Sequence, residues 1–311
     1  MASCVKAALD HGTQGLSHAA PMNPTPELTR IAVVGAGTMG HGIAQVAAHS
    51  GFKVALVDQD EAALARAKAK IEENLAGGIS RGKLTEADRD RVRANLSTTR
   101  DLAGAAREAG LVIEAIFENL AAKQAVLAAA EKAAPPDAIL ASNTSSLPIG
   151  QIAAVLQRPE RLIGMHFFNP VHLMKLIEVV VHPKTGDAAR RAALEVARRM
   201  GKEPIVVQDS PGFATSRLGV VLGLEAMRMV EQGVASAADI DQAMVLGYNH
   251  PMGPLRLTDV VGLDVRLAIA DTLQKELGGE QYRAPQLLRD MVKRGELGKK
   301  SGQGFYDWKQ G

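Results

Sequence analysis

IAVVGAGTMGHGIAQVAAH, residues 31–49, opens with four apolar residues, breaks into glycines, and resumes apolar residues at helical spacing. Ile31–Val34 read as a buried strand, Gly35, Gly37 and Gly40 fit G-x-G-x-x-G, and Ile43, Val46 and Ala47 mark one face of a helix. In such a strand–turn–helix the first glycine permits a sharp turn and the second lets a pyrophosphate approach the backbone. The third lets the helix pack close to the strand. The phosphates sit at the helix N-terminus, where unpaired N–H groups and the helix dipole attract negative charge. A second apolar strand, KVALV, ends at Asp58. An acid there takes the hydroxyls of an adenosine ribose and repels a 2′-phosphate. Gln59 follows with no Arg beside it, so the cofactor read from these residues is NAD rather than NADP. A purely structural glycine turn has no use for that acid.

At 311 residues the chain exceeds one average domain, which predicts two. A formal charge of +2 without any Lys/Arg run argues against nucleic acid or a membrane surface as partner. No apolar stretch reaches the roughly 18 residues of a membrane-spanning helix. The single cysteine, Cys4, excludes an intrachain disulfide and fits a cytoplasmic enzyme. No residues have metal-ligand spacing, so no metal is expected. Residues 1–29 are small, polar and proline-containing without periodicity, and are expected to form a flexible tail lacking the apolar core of a signal peptide. Met22 is a candidate start of the folded body.

The helical pattern of Ala63, Leu64, Ala67 and Ile71 is broken at Gly77–Gly78 and resumes over Thr85–Leu96, predicting a helix pair longer than a crossover needs. Most of its charges read as a solvated face, and its basic side, including Arg81, as a meeting point for an anionic substrate. Leu111–Ile116 is a buried strand with Glu118 and Asn119 at its carboxyl end and Lys123 a helical turn further on, where ligands of open α/β sheets bind. SNTSS, residues 142–146, follows another strand and carries hydroxyls that either cap the next helix or face the cleft. RLIGMHFFNP delivers His166 to a turn at Asn169–Pro170, and LIEVVV delivers Glu178 on a further strand. A histidine in an apolar strand is commonly a core residue, but a carboxylate between Ile177 and Val179 is costly to bury without a partner. A His–Glu pair answers both oddities, the carboxylate fixing the imidazole tautomer and raising its basicity. Their spacing does not show that they meet. From Thr215 onward the apolar residues recur at helical spacing, with Gly233 as a stop, Ser236 as a cap and a short strand at Gly304–Trp308. Val220, Leu224 and Met227 fit core and dimer surface equally.

Together GAGTMGHGIAQ, the acid of VALVDQ, EAIFENL, ASNTSSLPI, GMHFFNPVHLMKLIEVV, DSPGF, HPMGP, GLD and GKKSGQGFY resemble the L-3-hydroxyacyl-CoA dehydrogenase family, bacterial 3-hydroxybutyryl-CoA dehydrogenases included, over Arg30–Trp308. The resemblance implies an α/β Rossmann-like dinucleotide-binding domain, residues 30–208, followed by an all-α domain, residues 209–311, through which two subunits form a homodimer. It implies His166 as general base, Glu178 as its carboxylate partner, and Ser145 as the hydroxyl that binds the substrate's 3-oxygen. It implies NAD contacts at Gly35, Gly37, Thr38, Met39, Gly40, Asp58, Glu118, Lys123, Asn143 and Lys299. The acyl-CoA substrate falls to Ser145 and Asn169, with coenzyme A contacts at Asn74 and Arg81.

One departure stands out. The family usually carries an Asn after the PGF turn, followed by Arg, and that Asn helps to polarise the reacting oxygen. Here PGFATSR puts Ser216 at that position and keeps Arg217. The function the resemblance implies is reversible NAD-dependent oxidation of an L-3-hydroxyacyl-CoA, short-chain substrates such as 3-hydroxybutyryl-CoA included. An L-gulonate 3-dehydrogenase-like enzyme without coenzyme A, and a non-catalytic NAD-binding protein, are the alternatives.

Overall fold

The computed structural model describes residues 28–309. The first domain runs β1 (Arg30–Val34), α1 (Gly40–His49), β2 (Lys53–Val57), α2 (Glu61–Ser80), α3 (Glu86–Asn95), β3 (Leu96–Thr99) and α4 (Leu102–Arg107). It continues with β4 (Leu111–Glu114), α5 (Leu120–Ala133), β5 (Ile139–Ser142), α6 (Ile149–Ala153), β6 (Leu162–Phe167), β7 (Leu176–Val181), α7 (Asp187–Arg199) and β8 (Glu203–Gln208). The second domain holds α8 (Thr215–Glu231), α9 (Ala237–Tyr248), α10 (Pro254–Val261), α11 (Leu263–Leu277) and α12 (Gln286–Lys293).

The eight strands form one sheet in the order β3-β2-β1-β4-β5-β6-β7-β8. All neighbours are parallel except β6 and β7. Alternate residues of one strand serve opposite cores. Ile31 and Val33 pack with α1, α2 and α7, whereas Ala32 and Val34 pack with α5 and α6. Helices on both faces leave the central strands no polar side, which is why they read as uninterrupted apolar runs. A third core joins α8 to α12, and it contains Val220, Leu224 and Met227. These three are therefore core, not surface.

The structure corrects several sequence expectations. Gly77–Gly78 do not end α2, which continues to Ser80. A glycine inside a helix costs only about 1 kcal/mol, and a Cβ on Gly78 would meet the Leu84 side chain at 2.6 Å. Leu96 does not close α3 but begins β3, a half-exposed edge strand with the polar sequence LSTT. The opposite edge, β8, is equally silent in the sequence because none of its residues is buried and most are exposed, so no burial period is imposed on it. Gly304–Trp308 is not a strand: only Asp307 in it makes an isolated bridge, to Gln303. The expected tail lies outside the described residues up to residue 27. Thr29, by contrast, accepts from the Lys53 amide and Leu28 accepts from Arg199, so both belong to the body.

Candidate active site

The carboxyl ends of the central strands collect many, though not all, of the residues singled out in the sequence. Gly35, at φ +106°, turns the chain off β1, and its amide donates to the Val57 carbonyl. A Cβ on Gly40 would lie 1.7 Å from the Gly35 oxygen, so α1 can start this close to β1 only with glycine there. Among the described residues nothing lies within 4 Å of where a Gly37 Cβ would be, so that position faces open space. Thr38 is exposed and Met39 half-buried beside it. Met39, at the N-cap of α1, makes no side-chain cap bond, and among the described residues no other side chain accepts from the first amides of the helix. Asp58 stands just past β2, with one carboxylate oxygen taking the Ala36 amide at 2.7 Å and the other the Asp60 amide at 2.9 Å.

A second cluster joins β4, α5 and the turn after β5. Glu114 and Lys123 are completely buried and paired at 2.7 Å. Glu114 also accepts from the Ile116 amide and the Ser142 hydroxyl. Lys123 donates a further bond to the Ile116 carbonyl and lies 3.2 Å from Glu118. The Lys123 ammonium thus faces two carboxylates and has no exposed surface. Glu118 Oε1 in turn accepts from the Thr144 hydroxyl, the Ser145 and Ser146 amides, and the Ser146 hydroxyl. Burial would raise the Glu118 carboxyl, but the Thr144 hydroxyl and the Lys123 ammonium outweigh it and hold it below the ordinary glutamate value. Its charge gathers the SNTSS turn and leaves Ser145 exposed at the tip. Asn143 accepts from the Phe167 amide at 2.9 Å, tying the end of β5 to the end of β6. The cap of α6 comes from none of these hydroxyls. Asp209, just after β8, takes the Ile149 and Gly150 amides.

The antiparallel register of β6 and β7 sets His166 opposite Glu178. The imidazole Nδ1 lies 2.7 Å from Glu178 Oε2, and both residues are buried, at 7% and 0% exposure. An ionised carboxylate has no proton to give, so Nδ1 carries the hydrogen and Nε2 of the neutral ring keeps its lone pair. Glu178 receives three more donors from the start of α8: the Ala214 and Thr215 amides on Oε1 and the Thr215 hydroxyl on Oε2. Burial pushes this carboxyl up, and the His166 and Thr215 donors overcome that and leave it lowered. The backbone turns into α8 through Gly212 and Phe213, both at positive φ, and the Phe213 ring lies 5.8 Å from the imidazole. Ser216 is half-buried one residue inside α8. The capping duty that a serine there could perform falls to Glu178.

The remaining predicted residues lie further out. Asn169 is exposed in the turn after β6. Asn74 donates to Gln45 at 3.0 Å, and with Arg81 it lines a cavity of about 330 Å³ that also receives Lys83, His172, Lys175 and Lys202. Lys299 sits in the second domain with its ammonium 5.4 Å over the Trp308 ring. The described contacts do not bring it to the glycine turn.

Comparison with known proteins matches residues 30–210 to the NAD binding domain of 3-hydroxyacyl-CoA dehydrogenase and residues 212–308 to that enzyme's C-terminal domain. The chain belongs to the 3-hydroxyacyl-CoA dehydrogenase family. A probable 3-hydroxybutyryl-CoA dehydrogenase of Bacillus subtilis is 46% identical over 284 residues, covering 91% of this chain and 99% of the relative. The mitochondrial hydroxyacyl-coenzyme A dehydrogenase of Rattus norvegicus is 42% identical over 290 residues, covering 91% and 92% respectively. The crystal structure of (S)-3-hydroxybutyryl-CoA dehydrogenase PaaH1 from Ralstonia eutropha matches with a TM-score of 0.87 at 40% identity, covering 90% of this chain and 99% of that one.

The cofactor of this 3-hydroxyacyl-CoA dehydrogenase family member is NAD. The open space at Gly37, the uncapped start of α1 and the acid past β2 fit a pyrophosphate and an adenosine ribose. Three residues escaped the sequence reading: Glu114, Asp209 and Thr215. Glu114 looked like the end of an apolar strand, and Asp209 and Thr215 like ordinary turn and helix residues.

Proposed function

We propose that this chain catalyses the reversible oxidation of an L-3-hydroxyacyl-CoA to the 3-oxoacyl-CoA, with His166 as general base. The observation that carries the reading is the buried 2.7 Å pair of His166 and Glu178, which leaves a basic nitrogen free at the carboxyl end of the sheet. NAD, held by the glycine turn, α1 and Asp58, supplies the hydride acceptor. His166 Nε2 removes the proton of the C3 hydroxyl, and Glu178 stabilises the imidazolium formed. Ser145 binds the reacting oxygen from its exposed turn, and Ser216 adds a donor from α8. In the reverse direction the imidazolium returns the proton to the growing alkoxide.

The basic cavity with Asn74 and Arg81 supports coenzyme A as the substrate's carrier, since phosphates need cations. The second domain leaves Leu218, Leu246, Tyr248, Val260 and Val265 exposed, and apolar side chains of this kind support a homodimer through that domain. The chemistry belongs to fatty-acid metabolism, as a step of β-oxidation in the oxidative direction. The lone Cys4 supports a cytoplasmic setting. The test is turnover of acetoacetyl-CoA with NADH, run beside L-gulonate with NAD. Turnover of L-gulonate alone, or of neither, refutes the reading.

A further inference from the structure

We infer that Thr215 is a positioning residue whose hydroxyl shares one carboxylate oxygen of Glu178 with His166 and so sets the pH range in which the imidazole acts as base. The inference rests on the general-base reading of His166. Glu178 Oε1 takes the Ala214 and Thr215 amides at 3.1 and 2.9 Å, which already supplies α8 with a cap. The hydroxyl adds nothing to that cap. It falls instead on Oε2, at 3.0 Å, the atom that faces Nδ1 at 2.7 Å.

Nothing else charged competes for this oxygen among the described residues. Phe168 and Phe213 close on the imidazole as apolar rings, at 4.5 and 5.8 Å. From β8 the residue in register with Glu178 is Ile205. On α8, Ser216 is uncharged and Arg217 turns away to donate to the Tyr282 hydroxyl at 2.7 Å. The start of α8 contributes its amides and the positive end of its dipole to Glu178. Charge on Oε2 is therefore divided between two donors, an imidazole and one hydroxyl.

A hydroxyl on Oε2 draws negative charge away from the imidazolium, so the ring stays neutral, and useful as a base, to lower pH. Without it the carboxylate holds the proton on His166 more tightly. A single such hydrogen bond, converted at about 1.4 kcal/mol per pH unit, corresponds to a shift of about 0.5–1 unit.

The experiment measures kcat/KM against pH in both directions for the full chain and for Thr215→Val, Thr215→Ala, Thr215→Ser and His166→Gln, with thermal melts on each. In both hydroxyl-free variants the acid limb of oxidation moves up by about 0.5–1 pH unit, and reduction persists to correspondingly higher pH. Thr215→Ser coincides with the parent. The alanine form covers the case in which the valine form fails to fold. Acid limbs that coincide with the parent's, with or without a lower melting temperature, overturn the inference and leave the base assignment standing. Parental turnover in His166→Gln overturns the base assignment and the inference with it.

Discussion

Replacing Glu178 by Gln changes one atom of a buried group that takes donors both from His166 and from the start of α8. The amide keeps an acceptor oxygen, and the Ala214 and Thr215 amides hold it on the Oε1 side. The new NH₂ then faces His166 Nδ1, where a hydrogen already sits. Two donors at 2.7 Å cannot coexist, so the imidazole moves its hydrogen to Nε2, the nitrogen required as base. The rate should fall by about 10²–10⁴-fold, the range for loss of a positioned general base. Stability should change far less. The charge-assisted bond to His166 is lost, but so is the cost of burying the charge, which leaves a net loss of about 1–2 kcal/mol. The pH dependence has a definite sign. A carboxyl lowered in the folded state contributes stability that is present above its unfolded value and lost as pH falls through the folded one. The melting temperature of the parent should therefore exceed that of Glu178→Gln near neutrality, and the gap should close as pH falls below the carboxylate range. Steady-state kinetics with acetoacetyl-CoA and NADH, and melts from pH 7 into the acid range, provide the check. Near-normal turnover, or a gap that does not change with pH, refutes the reasoning.

Asp58→Ala should weaken NADH more than NADPH, because the acid that excludes a 2′-phosphate also takes the ribose hydroxyls; binding titrations with both cofactors decide, and equal losses count against it. Glu118→Ala removes the acceptor shared by Thr144, Ser145 and Ser146 and should lower kcat by about tenfold or more through a loosened Ser145, with a smaller effect on the KM for NADH. A KM change alone would mean that Glu118 serves only the cofactor. Ser216→Ala should cost about tenfold, less than the roughly 10²–10³-fold typical of an ideally placed donor, and Ser216→Asn should be tolerated. Since Glu178 caps α8, a lower melting temperature with unchanged turnover in Ser216→Ala would contradict both the catalytic reading and the geometry.

Much of the first domain was legible because its central strands are buried on both faces and appear as apolar runs punctuated by glycine. The edge strands β3 and β8 were not, since an edge buries too little to impose a pattern. Gly77–Gly78 misled because a helix break and a close approach use the same residue, and only the position of Leu84 tells them apart. Lys123 reads in the sequence as a residue at the ligand-binding end of the sheet beside Glu118, but only the packed structure shows it fully buried and paired with Glu114 as well.

The sequence by itself determined the dinucleotide turn, the acid at the end of β2 and the presence of a histidine and a glutamate that each needed a partner. Those are local properties: a turn, a hydrophobic period, an ionisable group in an apolar run. Tertiary structure alone decided that the two meet, because one antiparallel pairing in an otherwise parallel sheet sets residue 166 opposite 178. It likewise brought Thr215 onto the same carboxylate from the next domain and turned Glu118 toward the Ser145 turn. Hydrogen bonds reach about 3 Å through space regardless of separation along the chain, so which donors share an acceptor is settled only when the strands and helices have packed.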